Sequence, residues 1–242
     1  MKLVAFSDTH NKHKQITLPE CDIAIFAGDA TSYGHKHEVE RFLKWYNSQS
    51  QCKHKIFIAG NHDRSFDVKF IREYEKDLEN FEKNEAKGKP GWLLEFLDKY
   101  SDLTYLENSD AIVEGLKIWG SPITPRFGNR WAFNAERFND IQDYWDKIPD
   151  DTDIVVTHGP TYGKLDYVPE DGEFTGCMAL DDRLRVIKPS VFICGHIHSG
   201  RGVYMGADTF YINASIMDNS YEKQGDPMIF KYNVDKKSID FS

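Results

Sequence analysis

Five short apolar runs along the chain each end in a cluster of Asp, His, Asn or Gly residues. Runs of this length and hydrophobicity are typical of strands that are buried on both faces of a sheet. Loops that follow the carboxyl ends of such strands commonly bind ligands in open α/β sheets, so the clusters predict one shared site. The apolar runs cover residues 3–6, 23–27, 56–59, 154–156 and 191–194. The clusters that follow them are Asp8-Thr9-His10, Gly28-Asp29, Gly60-Asn61-His62-Asp63, Thr157-His158-Gly159 and Gly195-His196-Ile197-His198.

Amphipathic stretches lie between these runs and predict helices, so the alternation as a whole predicts an α/β fold. Residues 38–48 and 68–84 place apolar side chains three and four positions apart, and residues 92–100 form a further helix candidate. Segment 67–100 carries no chemical motif and is interpreted as a helical layer or insert within one domain that spans residues 1–242. Further strands are expected at residues 112–113 with 117–119, 209–212 and 228–232.

Charge and composition disfavour several classes of partner. The chain has 242 residues and a formal net charge of −9, and an acidic surface repels long DNA or RNA. No apolar run approaches the ~20 residues of a membrane-spanning helix, so no membrane partner is expected. The N-terminus is interpreted as the first strand, not as a secretory signal. Four cysteines without a C-x-x-C pair are expected to be free thiols in a reducing cytoplasm, and the oligomeric state stays open.

The clusters contain oxygen and nitrogen ligands for a metal site, but no thiolate pair. Asp8 and His10 are separated by one residue, as are His196 and His198, so both members of each pair can point the same way on an extended segment. Carboxylate and imidazole suit Mn, Fe, Zn and similar ions, and the lack of thiolates disfavours a structural zinc site. Ligands from so many chain positions could hold two ions that share one carboxylate.

In this order the clusters resemble the pattern D-x-H, G-D, G-N-H-[D/E], H, G-H-x-H of the calcineurin-like metallophosphoesterase superfamily, over residues 8–198. Further stretches resemble the metallophosphoesterase-domain-containing proteins of animals and their microbial relatives. That subfamily is associated with cyclic-nucleotide phosphodiesterase activity, with 2′,3′-cyclic AMP among its substrates. The resemblance implies a four-layer fold of two packed central β-sheets flanked by helices. The further stretches are Phe66-Asp67, Ser121-Pro122 with Pro125, Trp131-Ala132-Phe133-Asn134, Thr157-His158-Gly159-Pro160 and Tyr211-Ile212-Asn213-Ala214-Ser215.

The resemblance also implies a role for each cluster residue. Two divalent metal ions are expected, with Mn²⁺ favoured and Fe, Zn, Ni, Co or Mg as alternatives. A hydroxide that bridges the ions would attack the phosphorus of a small phosphoester or nucleotide substrate. His62 would face the leaving group or a phosphoryl oxygen, and Asp63 would hold its imidazole. The metal ligands would be Asp8, His10 and His198 for one ion, Asn61, His158 and His196 for the other, and Asp29 as the bridge.

Residues 121–134 form a loop rich in Pro, Arg and aromatic residues, which has two interpretations. One is a rigid surface loop packed by its own rings. The other is a substrate wall in which Phe127 or Trp131 stacks on a base and Arg126 or Arg130 reaches a phosphate.

Several other histidines and cysteines lie outside the five functional clusters or at the end of an apolar run. Gly34-His35-Lys36-His37 repeats the letters of the last cluster but follows no apolar strand, so its histidines are interpreted as solvated, with substrate contact as an alternative. His13 and His54 are flanked by lysines and are expected at the surface. Cys194 ends an apolar run and is expected to be buried, and the place of Cys177 is left undecided.

Other functions remain as alternatives. A phosphomonoesterase or protein phosphatase would use the same metals. An exonuclease is disfavoured by the charge of −9 and the lack of a basic stripe. A non-catalytic binding scaffold with a vestigial site is disfavoured by the complete ligand set.

Overall fold

The computed structural model describes residues 1–74, 88–138 and 140–240. None of the helices in these ranges has the length and hydrophobicity needed to cross a bilayer. The helices are α1 (Lys36–Asn47), α2 (Val68–Tyr74), α3 (Gly91–Lys99), α4 (Gln142–Trp145) and α5 (Met178–Ile187). The strands are β1 (Lys2–Phe6), β2 (Cys21–Ala27), β3 (Cys52–Ile58), β4 (Leu103–Tyr105), β5 (Ser109–Val113), β6 (Leu116–Ser121), β7 (Thr124–Pro125), β8 (Asn134–Ala135), β9 (Ile154–Thr157), β10 (Tyr167–Val168), β11 (Glu173–Phe174), β12 (Val191–Cys194), β13 (Gly202–Met205), β14 (Phe210–Asn213), β15 (Met228–Asn233) and β16 (Ser238–Asp240).

Most of these strands form two six-stranded sheets, each parallel at its centre. In the first sheet β1, β2, β3 and β4 are parallel, and β15 pairs with β1 in the antiparallel direction. In the second sheet β6, β9, β12 and β14 are parallel, and β5 and β13 are antiparallel edge strands. The strand orders are β16-β15-β1-β2-β3-β4 and β13-β14-β12-β9-β6-β5.

The two sheets pack face to face, and helices cover their outer faces. On β1, Leu3 and Ala5 point into the core between the sheets, whereas Val4 and Phe6 join the core on the helix side. Successive strand residues face opposite sides, so a strand between two apolar layers needs apolar residues at every position. The continuous apolar runs therefore form the central strands, and the four layers confirm the predicted α/β fold class.

The helices pack against the sheets through contacts between aromatic rings. Phe42 of α1 lies 4.6 Å from Phe26 of β2, and Trp145 of α4 lies 6.3 Å from Trp119 of β6 (ring centroids). Each of these side chains is almost completely buried, and burying one large apolar side chain contributes roughly 1.5–3 kcal/mol. The strands that carry the polar clusters are thus held between two well-packed layers.

The predicted helices form with shifted ends. The helix predicted over residues 38–48 begins earlier, at Lys36, because the Glu38 carboxylate accepts the backbone N–H of His35 at 3.0 Å and caps the first turn. Of the helix predicted over 68–84, the described part is α2, and residues 75–84 lie outside the described residues. Both α2 and α3 bury apolar side chains in the helix-side core, as a helical layer requires. The single-domain interpretation stays a prediction.

The surface position predicted for His13 is wrong. Its side chain is buried between the rings of Phe42 and Trp45, at 5.8 and 5.2 Å, and neither ring nitrogen has a hydrogen-bond partner among the described residues. Its lysine neighbours in the sequence suggested solvent exposure, but the short 3₁₀ helix His13–Gln15 turns this ring under α1. His54, in contrast, is partly exposed and lies 2.8 Å from Glu114.

We expect this histidine to make the protein acid-sensitive. Burial, with the charges of Arg41 and Lys14, lowers the pKa of His13 from 6.5 to about 4. Between these two pKa values the His13 side chain is protonated in the unfolded chain but neutral in the folded chain. The free energy of unfolding therefore falls as pH drops from about 6.5 towards 4. His13→Leu should show a smaller loss of urea midpoint between pH 7 and pH 5 than the wild type. The exposed His37→Leu is the matched control and should lose as much urea midpoint as the wild type. An equally large loss in His13→Leu would contradict this role of His13.

Candidate metal centre

The five polar clusters converge at one edge of the paired sheets, just beyond the carboxyl ends of their strands. Four of the residues in them have a left-handed backbone that non-glycine residues rarely adopt: φ is 53° at Asp8, 38° at His10, 60° at Asp29 and 67° at His196. Such a conformation costs about 1–3 kcal/mol per residue and is characteristic of functional sites. It turns the chain back immediately after each strand, so these side chains meet at the same edge.

Two glycines permit the close approach of the clusters. A Cβ atom on Gly60 would lie 2.2 Å from Asp29 Oδ1, and a Cβ atom on Gly195 would lie 2.2 Å from Asp8 Oδ2. Both distances are far below van der Waals contact, so any side chain here would displace a carboxylate. Glycine is therefore required at both positions for the backbone to approach the carboxylates this closely.

The first group of candidate ligands contains Asp8, His10 and His198, whose ligand atoms all lie within 4.8 Å of one another. The Nε2 atoms of the two histidines are 3.3 Å apart, and His198 Nε2 is 3.5 Å from Asp8 Oδ1. His198 Nδ1 lies 2.8 Å from the carbonyl oxygen of Asp218, which can only accept a proton. The lone pair of His198 Nε2 is therefore directed into the site.

The second group contains Asp29, His158 and His196, again with ligand atoms within 4.8 Å of one another. His158 Nε2 lies 3.2 Å from Asp29 Oδ2 and 2.9 Å from Asn61 Oδ1. Its Nδ1 lies 2.9 Å from the carbonyl oxygen of Ala27, which orients the ring as in the first group. Burial alone would lower the pKa of His158, but the Asp29 carboxylate outweighs burial and raises it to about 9.

Asp29 lies between the two groups. Its Oδ2 is 3.9 Å from His10 Nε2, 3.9 Å from His62 Nε2 and 3.2 Å from His158 Nε2. Burial would raise the pKa of Asp29, but His158 and His62 hold it well below its usual value, so the carboxylate is ionised. Two buried carboxylates and converging imidazole nitrogens form a donor set that fits divalent cations.

The role predicted for Asp63 is wrong in one respect. The Nδ1 of His62 lies 2.8 Å from the carbonyl oxygen of Ser32, so this carbonyl and not Asp63 orients the imidazole. Adjacent residues of a tight turn point to different sides, and the Asp63 carboxylate points inward to the backbone. It accepts the N–H groups of Gly60, Asp29, Ala30 and Thr31 at 2.9–3.2 Å. Asp63 therefore joins the loop that carries Asp29 to the loop that carries Asn61. Burial and the neighbouring charge of Asp29 raise the pKa of Asp63 to about 6.

The aromatic loop lies against the metal-ligand groups. The Phe127 ring centroid is 4.7 Å from that of His196, and the Trp131 centroid is 4.3 Å from that of His62. The backbone of the loop is fixed by pairing of β7 with β8 and by the Ala132 N–H, which donates to the Asn61 carbonyl oxygen at 3.2 Å. Of the two predicted arginines, Arg126 forms an ion pair with Glu136, and Arg130 is exposed at the edge of the loop.

Sequence reasoning missed two residues beside the site. The Tyr221 ring lies 4.8 Å from that of His10 and 5.6 Å from that of His198, both in the first ligand group, whereas Phe127 contacts His196 of the second. Its place depends on a turn at Asp218, so no local pattern indicated it. Arg64 directly follows the third cluster, and its position there was the only signal available.

The remaining sequence expectations have clear outcomes. His35 is the N-cap residue of α1 and its ring stacks on that of His37, so the stretch Gly34-His35-Lys36-His37 is the start of a helix. Cys194 is buried as expected. Cys177 is buried before α5, where it accepts a hydrogen bond from Trp145 Nε1 at 3.2 Å.

Comparison with known proteins agrees with this geometry. Residues 1–200 match the family described as calcineurin-like phosphoesterase. Metallophosphoesterase domain-containing protein 1 of Homo sapiens is 35% identical over 229 residues, which cover 94% of this chain and 70% of that protein. UPF0046 protein K07C11.7 of Caenorhabditis elegans is 31% identical over 243 residues, which cover 99% of this chain and 77% of that protein. The crystal structure of TT1561 of Thermus thermophilus shares the fold, with a TM-score of 0.58 and 10% identity over 99% of this chain and 96% of that one. The chain therefore belongs to the calcineurin-like phosphoesterase family, the metal-dependent phosphoric ester hydrolases with a dinuclear metal centre.

Proposed function

We propose that this protein hydrolyses phosphodiesters, and that small cyclic nucleotides such as 2′,3′-cyclic AMP are its substrates. The observation that carries the proposal is the position of Asp29 Oδ2, which lies within 3.9 Å of three imidazole nitrogens. A shared carboxylate between two ligand groups is the arrangement that holds two cations together. The aromatic loop beside it supports a nucleotide over a plain phosphate.

The proposed ligands follow the two groups of side chains. Asp29 would serve both ions. Carboxylate, amide and imidazole ligands accept several divalent ions, and among these we propose Mn²⁺. When bound, two divalent ions neutralise the phosphate and make a nucleophilic hydroxide available near neutral pH. The first ion would be held by Asp8, His10 and His198, and the second by Asn61, His158 and His196.

We propose that His62 acts on the leaving oxygen. Its Nδ1 is bound to the Ser32 carbonyl oxygen, which directs Nε2 towards Asp29 and the centre of the site. In its protonated form Nε2 can donate a proton to the departing alkoxide or stabilise its charge. Asp63 contributes indirectly, because it holds the Asp29 and Gly60 backbones in place.

We propose that the ring faces of Phe127 and Trp131 receive the base of the nucleotide. Both rings contact histidines of the site, so a base stacked on them would lie beside the scissile phosphate. Tyr221 lies beside the other ligand group and would close the opposite side of the substrate.

The proposal is tested by hydrolysis after reconstitution with Mn²⁺. Bis(p-nitrophenyl) phosphate, p-nitrophenyl phosphate, 2′,3′-cyclic AMP and 3′,5′-cyclic AMP would be compared, with Asn61→Ala as the site variant. We expect cleavage of the diesters, a preference for a cyclic nucleotide, and a fall of about 10²-fold or more in Asn61→Ala. Cleavage of the monoester alone would favour a phosphomonoesterase, and inactivity with every metal would favour a binding scaffold.

We further propose a cytoplasmic location and a single domain. The four cysteines are buried as free thiols, which supports a reducing compartment. The helix-side core includes residues from both halves of the chain, which supports one domain.

A further inference from the structure

The guanidinium of Arg64 lies among three aromatic rings beside the metal-ligand groups. Its Cζ is 4.7 Å from the ring centroid of Trp131, 5.1 Å from that of Tyr33 and 5.6 Å from that of Phe70. A guanidinium that packs its faces on rings keeps its N–H donors at the edge of the plane, free for hydrogen bonds. The rings therefore fix the orientation of the Arg64 guanidinium and leave its N–H donors free.

No described residue accepts a hydrogen bond from these edge donors. Arg64 Nε is buried without a hydrogen-bond partner, and no carboxylate of the described residues lies within 4.0 Å of the guanidinium. Arg126, Arg183 and Arg185, in contrast, each have an acidic partner. Arg41, Arg137 and Arg201 have no acidic partner either, but their guanidinium groups donate to neutral oxygen atoms. The Nε of Arg64 has no acceptor among the described residues, which is notable because buried polar donors are generally satisfied.

The position of Arg64 connects it to the reaction. The Trp131 ring lies 4.3 Å from the His62 ring and 4.7 Å from Arg64 Cζ, so one tryptophan contacts both residues. The exposed Arg130 adds positive charge on the same side. An anion bound by the Arg64 guanidinium would therefore be separated from His62 only by the Trp131 ring.

We propose that Arg64 binds a second phosphate group of the substrate, a phosphomonoester on the same nucleotide whose phosphodiester is cleaved at the metal centre. This inference rests on the proposed function and narrows it. The substrate class becomes cyclic nucleotides that carry an additional terminal phosphate, such as the 5′-phosphorylated form of a 2′,3′-cyclic nucleotide. The guanidinium fork matches the oxygens of a phosphate in two parallel hydrogen bonds.

The test compares two substrates that differ only in this phosphate: 2′,3′-cyclic AMP and its 5′-phosphorylated form. Arg64→Met keeps a long side chain on the rings but removes the charge and the donors, and Arg64→Lys keeps the charge without the fork. Arg185→Met, an exposed arginine on α5, is the matched control. We expect Arg64→Met to raise KM for the 5′-phosphorylated substrate by about 10- to 100-fold, with an intermediate value for Arg64→Lys. KM for the unphosphorylated substrate should change by less than about threefold, and the control should change neither.

An equal rise in KM for both substrates would overturn the inference, because Arg64 would then only support Trp131. A binding measurement separates this failure from failure of the proposed function. Calorimetric titration of the Mn²⁺-loaded protein would compare adenosine 3′,5′-bisphosphate with adenosine 3′-monophosphate. If only the aryl diester is hydrolysed, the cyclic-nucleotide proposal fails, but tighter binding of the bisphosphate that disappears in Arg64→Met still supports the second phosphate site. Equal dissociation constants in the wild type would refute it.

Discussion

Asp29→Asn is expected to lower the bound metal to well below two ions per chain and to reduce kcat/KM by about 10³-fold or more. The substitution keeps the size of the side chain but replaces one carboxylate oxygen by an amide group. Oδ2 of Asp29 is within 3.9 Å of three imidazole nitrogens, so no other described side chain offers a negative charge to both ligand groups at once. The metal content would be measured by elemental analysis, and the rate with bis(p-nitrophenyl) phosphate.

Asp182→Asn, on the exposed side of α5, is the matched control for the loss of one carboxylate. It should retain both ions and full activity. If Asp29→Asn also retained two ions with unchanged affinity, Asp29 would not bridge them, and the assignment of the two groups would have to be revised.

His62→Ala is expected to reduce kcat by about 10²- to 10⁴-fold while the metal content stays close to that of the wild type. His62 is near Asp29, but its Nδ1 is committed to the Ser32 carbonyl oxygen and its ring packs on Trp131. Its side chain is partly accessible, at 12%, whereas that of His158 is completely buried. This difference suits a residue that meets the substrate. His158→Ala, as the comparison variant, should lose metal and activity together.

The leaving group gives a sharper form of the same test. p-Nitrophenolate departs as a stable anion, whereas a ribose alkoxide needs a proton or a nearby positive charge. The loss in His62→Ala should therefore be larger for a cyclic nucleotide than for bis(p-nitrophenyl) phosphate. Equal losses for the two substrates, or a loss of metal that matches the loss of rate, would remove His62 from the leaving-group step.

Burial of individual polar residues was the least predictable property. His13 and His54 both have lysine neighbours in the sequence, yet His13 lies under α1 and His54 stays at the surface. The difference arises from a single 3₁₀ turn, which no periodic pattern describes. The sequence G-H-x-H likewise occurs twice with different structures. At His35 it forms the cap of a helix, whereas at His196 it forms part of the ligand groups, because only the stretch at His196 follows a strand.

The sequence pattern by itself determined the α/β class and the place of the polar clusters at strand ends, whereas the four layers were implied by the family resemblance. Continuous apolar runs indicate strands buried on both faces, and clusters at the ends of parallel strands in one sheet meet at one edge. The first three clusters follow β1, β2 and β3 of the first sheet and the last two follow β9 and β12 of the second, so the packing of the two sheets decided that all five converge. Tertiary structure decided which groups orient and surround the side chains of the site. Ser32 and not Asp63 orients His62, and the Asp218 turn brings Tyr221 to the site. Among the described residues, it placed no acidic partner at Arg64. The physical reason is that hydrogen-bond partners depend on the positions of backbone groups far apart in the chain, whereas burial of a strand depends on its own residues.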